Sequence, residues 1–547
     1  MNKINIFWIV VDCVRNYKTG MDDRDKLDFM YELEKKYLSF DKMIVSAPSS
    51  IMSISTSLSS IPSYYVAGNY LDYKFDNNLF WSLRDILKQN GYHNYAIING
   101  RAGREKLTDL LDLVDKKYWE PHLKHSSVVW QNNEVTKVFY NLLESNPPKP
   151  CFYLLWYNAR RDPNISNEIE ELHKRLKQEP YFDNSIFILT SDHGYPDLDR
   201  GLISDGIDLK AVGLPHDLIL TDDNINVPFI MNFPGADSST IKCQTSCEDI
   251  LPTILDILDI ELPSPKSIDY FGKSLLPLVK NMNGDFFHKR IIRSDARFSM
   301  QAERMTSLRT NDYKYIIKHE DKSEELYDLL IDPREKNNIA SNDNYIEVIN
   351  KFRKNFNEME DDTLNFQKIN LKNVLKNNSD FLKYTKEDCY VINFGKSYLC
   401  EIVLESLLNI SPDIKISLIT INKNHMKTQL KHKLFEIFDF NEIKKIKSLN
   451  NKKLRIEVVD DPLSKIFHNE FSKCNKLKTT YNIRINAVPE IINITNRFLS
   501  SPRMAYYKRV INNLFDKKDL FLKEPHYLLL ELKRLFKFFF VRIKRKI

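Results

Sequence analysis

Three groups of residues have the types and spacing to do chemistry. Asp12 closes the apolar run "INIFWIVV" (4–11). A carboxylate at the end of a buried run suits a hard divalent cation such as Mg2+, Mn2+ or Ca2+, although an isolated aspartate also reads as a turn or helix cap. Asp192 and His193 lie in "TSDHGYPD" (190–197), just after the run "SIFILTS" (185–191). Gly194 permits a turn that brings two adjacent side chains to one ion, the rival reading being an exposed polar turn. The third group is "VSAPSSIMSISTSLSSIPS" (45–63), with nine serines among the eighteen residues 46–63. It contains no glycine, and Ile51, Ile54, Leu58 and Ile61 fall at helical spacing, so a flexible linker fits poorly. The pattern predicts a turn at Ser46-Ala47-Pro48 feeding a buried helix capped by Ser49 or Ser50. A hydroxyl at the mouth of that helix sits where backbone N–H groups and the helix dipole attract anions. There it could attack phosphorus or sulfur, once a metal lowers its pKa.

These groups need elements to bring them together. Short apolar runs at 4–11, 95–98, 151–157, 185–191 and 228–233 alternate with amphipathic segments such as 79–90 and 131–145. Strands buried on both faces of a parallel sheet have this appearance, and the alternation predicts an α/β sandwich with helices on both sheet faces. In such sheets reactive groups gather beyond the strands' C-terminal ends, which points to Asp12, Arg160, Arg161, Asp192 and His193. Further along, 248–262 reads as a helix, 305–360 as a hairpin followed by a turn-rich stretch, and 361–388 as a polar linker. A second, Rossmann-like α/β pattern occupies 389–496, with strands at 389–394, 414–421 and 454–460 and helices over 397–409 and near 427–447. Residues 497–547 form a basic helical tail. Gly395-Lys396-Ser397 follows a strand, but a phosphate-binding loop needs glycine where this chain has Tyr390.

The composition narrows the partners. With 80 basic against 74 acidic side chains the net charge of +6 is nearly balanced, which excludes a nucleic-acid-binding polycation. The excess sits in the last fifteen residues, "KRLFKFFFVRIKRKI", so segment 526–547 could rest peripherally on an anionic membrane surface or pack as a terminal helix. Seven scattered cysteines without a CxxC pair argue against a disulfide scaffold or a zinc finger. The opening run lacks a signal-peptide pattern, and no stretch reaches the ~20 apolar residues of a membrane span, so a cytoplasmic location is expected.

Taken in order, these motifs make the chain resemble the sulfatase family of the alkaline phosphatase superfamily. "NIFWIVVDCVR" matches the opening strand with its metal-binding aspartate, and Ser46-Ala47-Pro48-Ser49 matches the C/S/T-x-P-S nucleophile pattern. Asp192-His193-Gly194 matches the later D-H/N-G motif, and His216 with "NVPFIMNFPG" matches the H…VPLI…PG stretch. The runs 249–277 and 309–338 follow two further family patterns, so the likeness covers about residues 1–345. It implies an alkaline phosphatase/sulfatase-like sandwich over 1–360, with a mostly parallel central sheet.

It also implies a metal-dependent hydrolase or transferase cleaving a sulfate or phosphate ester. One divalent ion (Mn2+, Mg2+ or Ca2+) would be held by Asp12, Asp192, His193 and Ser46, with Ser46 as nucleophile and His216 as proton donor. Arg161, in the place of the family's H-x-P histidine, and Ser50 would bind the substrate, a small-molecule or glycan- or lipid-linked anionic ester. Two departures bear on the reaction. Cys13 stands where many members carry a second aspartate, and Ser50 stands where formylglycine sulfatases need arginine, so a plain Ser46 alkoxide is expected. The rival reading is a catalytically degenerate sulfatase fold kept as a binding or scaffold module.

Overall fold

The computed structural model describes residues 4–16, 28–62, 65, 80–98, 111, 132–159, 164–197, 216, 219–266, 268–280, 284–296, 305–319, 322–377, 389–393, 404, 407–408, 416–420, 436–439, 454–459 and 481–486. Arg160, Arg161, the Gly395-Lys396-Ser397 stretch and the tail 497–547 lie outside the described residues. The chain divides into two compact units, one within residues 1–356 and the other chiefly 357–547. No described helix is long and apolar enough to cross a membrane.

The first unit is built on seven strands: β1 (Asn5–Asp12), β2 (Leu38–Ile44), β3 (His93–Ile98), β4 (Cys151–Asn158), β5 (Ser185–Thr190), β6 (Asn226–Asn232) and β7 (Thr240–Ser246). They form one sheet in the order β3-β4-β1-β5-β6-β2-β7. Every residue of β1 and β5 is buried, as continuous apolar runs demand of central strands. β6 runs antiparallel to both β5 and β2, and the remaining pairings are parallel. The run 228–233, expected as one more parallel strand, is therefore reversed, while β2 and β7 were not anticipated. Both mix polar residues into short segments, which leaves little apolar periodicity to read.

Helices described in this unit include, in chain order, α1 (Asp28–Glu34), α2 (Ser50–Ser59), α3 (Leu83–Gln89), α4 (Asn132–Glu144), α5 (Ile165–Leu176), α6 (Asp222–Ile225) and α7 (Ile250–Ile257). α1, α4 and α5 cover one sheet face around Phe7, Phe139 and Tyr153. Phe7 stacks on Tyr153 at 5.2 Å, and Phe139 meets Tyr153 edge-on at 5.4 Å. Each such ring contributes about 1.5–3 kcal/mol through removal from water. α2 packs on α3, on α7 and on the short helical turn 247–249 before it.

A helix as serine-rich as α2 can be buried because four of its hydroxyls bond to its own carbonyls, although Ser53 Oγ is buried without a hydrogen-bond partner. Ser55 and Thr56 donate to Met52 O (2.9 and 3.0 Å), Ser57 to Ser53 O (3.0 Å) and Ser59 to Ser55 O (2.7 Å). It ends at Ser60, whose left-handed φ of 58° closes the cap onto Thr56 O.

Four antiparallel strands, β8 (Ile292–Ala296), β9 (Met305–Arg309), β10 (Tyr313–Lys318) and β11 (Glu324–Asp328), form a second sheet in the order β11-β10-β9-β8. The β9–β10 hairpin and the turns that follow β11 agree with the pattern of 305–360 as far as residue 345, whereas 346–360, expected to be turn-rich, is helical. The long helix Ile346–Asn377 then runs through residues 361–377, more than half of the stretch expected as linker. It contains neither proline nor glycine, so nothing in those polar residues stops it.

The second unit holds β12 (Cys389–Asn393), β13 (Ile416–Thr420), β14 (Glu436–Asp439), β15 (Leu454–Val459) and β16 (Tyr481–Asn486), all parallel in the order β14-β13-β12-β15-β16. Numbered from the first strand this is 3-2-1-4-5, the doubly wound order of Rossmann-like sheets. The helix expected near 427–447 contains β14 instead, because a short apolar run such as "LFEIFDF" does not separate strand from helix by period.

Candidate active site

Because β6 alone is reversed, β1, β4, β5, β2 and β7 end at one edge of the sheet, and β6 begins there. The register sets Asp12, the last residue of β1, beside Asn158, the last of β4, and Val10 beside Thr190 of β5. Asp12, Asn158 and the 191–194 turn therefore converge without any helix having to carry them. Asn158 Nδ2 donates to Asp12 Oδ2 at 3.2 Å, which turns Oδ1 toward the neighbouring turn.

That turn is fixed by backbone bonds. Asp192 Oδ1 accepts the N–H groups of His193 (2.9 Å) and Cys13 (3.2 Å), and Val14 N–H donates to Ser191 Oγ at 3.0 Å. Gly194 N–H donates to Asn224 O at 2.8 Å. A β-carbon at Gly194 would lie 2.3 Å from Asp223 O, so only glycine fits this close approach to α6. α6 is anchored from behind. Burial alone would raise the Asp222 carboxyl, but Arg309 and Lys314 outweigh it and hold the group well below the usual carboxylate range. Arg309 Nη2 lies 2.9 Å from Asp222 Oδ2, and Lys314 bonds both Asp222 and Glu335, the latter at 2.8 Å.

His193 stands at the centre of the cluster and is almost wholly buried. Its Nδ1 is 2.8 Å from Gly194 O, and a carbonyl can only accept, so the hydrogen-bond network assigns the proton to Nδ1. Nε2 is then the nitrogen left to act as acceptor or ligand. It lies 3.7 Å from Asp12 Oδ1, 3.8 Å from Asp192 Oδ2 and 3.4 Å from Ser50 Oγ. The carboxylate separations exceed a hydrogen bond but fall within the span that two ligands of one cation can bridge. Two buried carboxylates facing one imidazole are a donor set that a divalent ion would stabilise by offsetting their repulsion. The residues present fit such an ion. The ring of His216 stacks on His193, with centroids 4.6 Å apart and planes 14° from parallel.

The two serines expected at the site part company. Ser50, the first residue of α2, is half-buried and faces His193 Nε2. Ser46 is fully buried, with its Oγ 2.8 Å from Thr56 Oγ1. Thr56 spends its own hydrogen on Met52 O, so Ser46 donates to Thr56. Ser46 also borders the Cys247 thiol, which burial pushes up to about 12. Asp12, Asp192, His193, His216 and Ser50 are thus brought together, whereas the hydroxyl of Ser46 is bonded to Thr56. Asn158 was missed; the end of the 151–157 run beside Asp12 was the signal that could have found it.

Profile comparisons match residues 164–260 to "Sulfatase" and residues 216–362 to "N-sulphoglucosamine sulphohydrolase, C-terminal". Among curated proteins, the chain is 27% identical over 197 residues to a Delta 4,5-hexuronate-2-O-sulfatase of Bacteroides thetaiotaomicron, covering 35% of this chain and 37% of that one. Among solved structures, one in complex with D-glucosamine-2-N,6-O-disulfate superposes with a TM-score of 0.51 at 16% identity, over 66% of this chain and 98% of its own. A phosphonate monoester hydrolase of Silicibacter pomeroyi superposes with a TM-score of 0.51 at 12% identity, over 66% and 96%. The last two show a shared fold. The chain spans at most about half the length of the curated relatives it matches. The chain is thus similar to sulfatases in sequence across 164–362, and it shares its fold with a solved structure in complex with D-glucosamine-2-N,6-O-disulfate over two-thirds of its length.

Proposed function

We propose that the protein is a metal-dependent ester hydrolase or transferase in which Ser50, rather than Ser46, is the nucleophile. One observation carries this: Ser50 Oγ lies 3.4 Å from the same His193 nitrogen that faces Asp12 and Asp192, whereas the Ser46 hydroxyl is bonded to Thr56. A divalent cation held by Asp12, Asp192 and His193 would supply Lewis acidity and lower the pKa of the serine hydroxyl. Ser50 Oγ, its proton given up to solvent, then attacks phosphorus or sulfur in line, forming the Oγ–P or Oγ–S bond as the P–O or S–O bond to the departing sugar or alcohol breaks. The first N–H groups of α2 have no partners inside the helix and face the anionic oxygens. His216 supplies the proton to the departing oxygen, and water or an acceptor hydroxyl later releases the group from Ser50.

Counted from Ser50, the C/S-x-P-S-R pattern needed for formylglycine would require proline at Met52 and arginine at Ile54. Neither is present, so Ser50 acts as unmodified serine. A serine ester leaves by a second displacement at phosphorus, which favours phosphate over sulfate esters. Relatives named for hexuronate and N-acetylglucosamine sulfates support a sugar-linked substrate. An intact donor cluster gives the scaffold reading no support.

The deciding experiment compares Ser50→Ala and Ser46→Ala on p-nitrophenyl phosphate and p-nitrophenyl sulfate, with mass spectrometry of the Ser50 peptide after a substrate pulse. Turnover lost only in Ser50→Ala and a +phosphate peptide are expected. An active Ser50→Ala would end the proposal.

A further inference from the structure

Cys13 is a residue of the candidate site that the reaction above does not use. Its Sγ, a carboxylate oxygen of Asp12 and a ring nitrogen of His193 all lie within 4.8 Å of one another, and all three residues are buried. This is the span two ligands can bridge when each sits about 2.0–2.4 Å from one ion. Asp12 and Cys13 are consecutive, and consecutive side chains of an extended strand point to opposite faces. Here they do not, because Cys13 adopts the left-handed φ of 65°. That conformation costs a residue with a β-carbon roughly 1–2 kcal/mol. It is held by the Cys13 N–H donating to Asp192 Oδ1, and it leaves Sγ 3.9 Å from His193 Nδ1.

We infer that Cys13 is a thiolate ligand in this site and that it tunes the site to Zn2+ or a similar late first-row ion, in preference to Ca2+ or Mg2+. The inference rests on the reading that Asp12, Asp192 and His193 hold a divalent cation. Hard ions such as Ca2+ and Mg2+ take all-oxygen surroundings, whereas a sulfur–nitrogen–oxygen set belongs to borderline ions, for which thiolate is the discriminating donor. Binding converts the Cys13 thiol to thiolate, and its proton passes to solvent.

The test uses the full chain, stripped of metal with a chelator and titrated with Co2+ as a spectroscopic stand-in for Zn2+. A sulfur-to-cobalt charge-transfer band in the near ultraviolet is expected. It should be abolished by Zn2+ in competition and should persist in excess Ca2+ or Mg2+. Cys13→Ser should lose that band while keeping the visible ligand-field bands. Its Zn2+ affinity should fall by about 10–100-fold, the scale on which even a supporting group moves metal affinity. Cys13→Asp should shift the preference toward Ca2+. Cobalt bound without the charge-transfer band, or an unchanged ion preference in both variants, would overturn the role of Cys13 while leaving the cation site standing. No Co2+, Zn2+ or Ca2+ bound by the wild type, with Asp192→Ala indistinguishable from it, would remove the site and the inference together.

Discussion

Ser46 and Ser50 stand one helical turn apart in sequence, and their substitutions should behave in opposite ways. Ser46→Ala removes the hydroxyl bond from Ser46 Oγ to Thr56 Oγ1 at 2.8 Å together with the contact to the Cys247 thiol. Thr56 keeps its donation to Met52 O, so no buried donor is stranded, and the expected loss of stability is about 1 kcal/mol. Turnover should stay within a few-fold of the wild type. Ser50→Ala touches a half-buried hydroxyl at the first position of α2, where surface-like changes cost about 0.5 kcal/mol or less. It removes the atom that forms the covalent bond, which for a serine nucleophile lowers kcat by on the order of 10^4–10^6-fold. The lower figure alone corresponds to about 5.5 kcal/mol of transition-state stabilisation. Urea unfolding and steady-state kinetics on the two variants separate the effects cleanly. An inactive Ser46→Ala with native-like stability, beside an active Ser50→Ala, would refute the placement of the nucleophile.

Three further outcomes follow from the same geometry. Asn158→Ala should free Asp12 Oδ2 from its 3.2 Å bond and lower divalent-metal affinity by about 10–100-fold, as read by isothermal titration, with little change in the urea midpoint. Lys314→Met should leave Asp222 and Glu335 buried with one cation fewer, costing about 3–5 kcal/mol in a urea titration at pH 7. His173, buried against Tyr37, Phe182 and Phe187, is pushed down to about 4 by burial. Its folded pKa lies below the unfolded value of about 6.5, so its contribution is intact above that pH and is lost as pH falls toward 4. The full shift corresponds to at most about 3 kcal/mol. His173→Phe should flatten the stability profile between those limits.

How far the sequence reveals this site depends on which physical rule places each residue. Asp12 and the Asp192-His193 pair were legible because strand ends are marked by where an apolar run stops, and parallel strands must end together. The reversed strand β6 was not, since "VPFIMN" is buried on both faces whichever way it runs. In the second unit the parallel sheet was readable from its apolar runs. Its short strand β14 was not, and β16, with its polar alternation "YNIRIN", was also missed.

The nucleophile is the most instructive case. The sequence places the nucleophile at Ser46 and gives Ser50 a substrate-binding role, although residues four apart would tend to share one face if both lay in a helix. That condition fails here because Ser46 precedes the helix, with Ser49 as its extended N-cap at φ −141°. The direction of the Ser46 side chain is then decided by whichever buried acceptor lies nearest. Thr56, a full ten residues on, is that acceptor, and it is available only because its own proton is already committed to Met52 O. The choice between two serines thus depends on the internal hydrogen-bond bookkeeping of a buried helix, which no spacing rule contains. The same dependence predicts that Thr56→Val, which deletes this acceptor, should loosen the Ser46 hydroxyl and destabilise the fold by about 1 kcal/mol, the worth of one hydrogen bond. Turnover through Ser50 should survive that change. If it falls as far as in Ser50→Ala, the Ser46–Thr56 pair belongs to the chemistry and not merely to the packing beneath it.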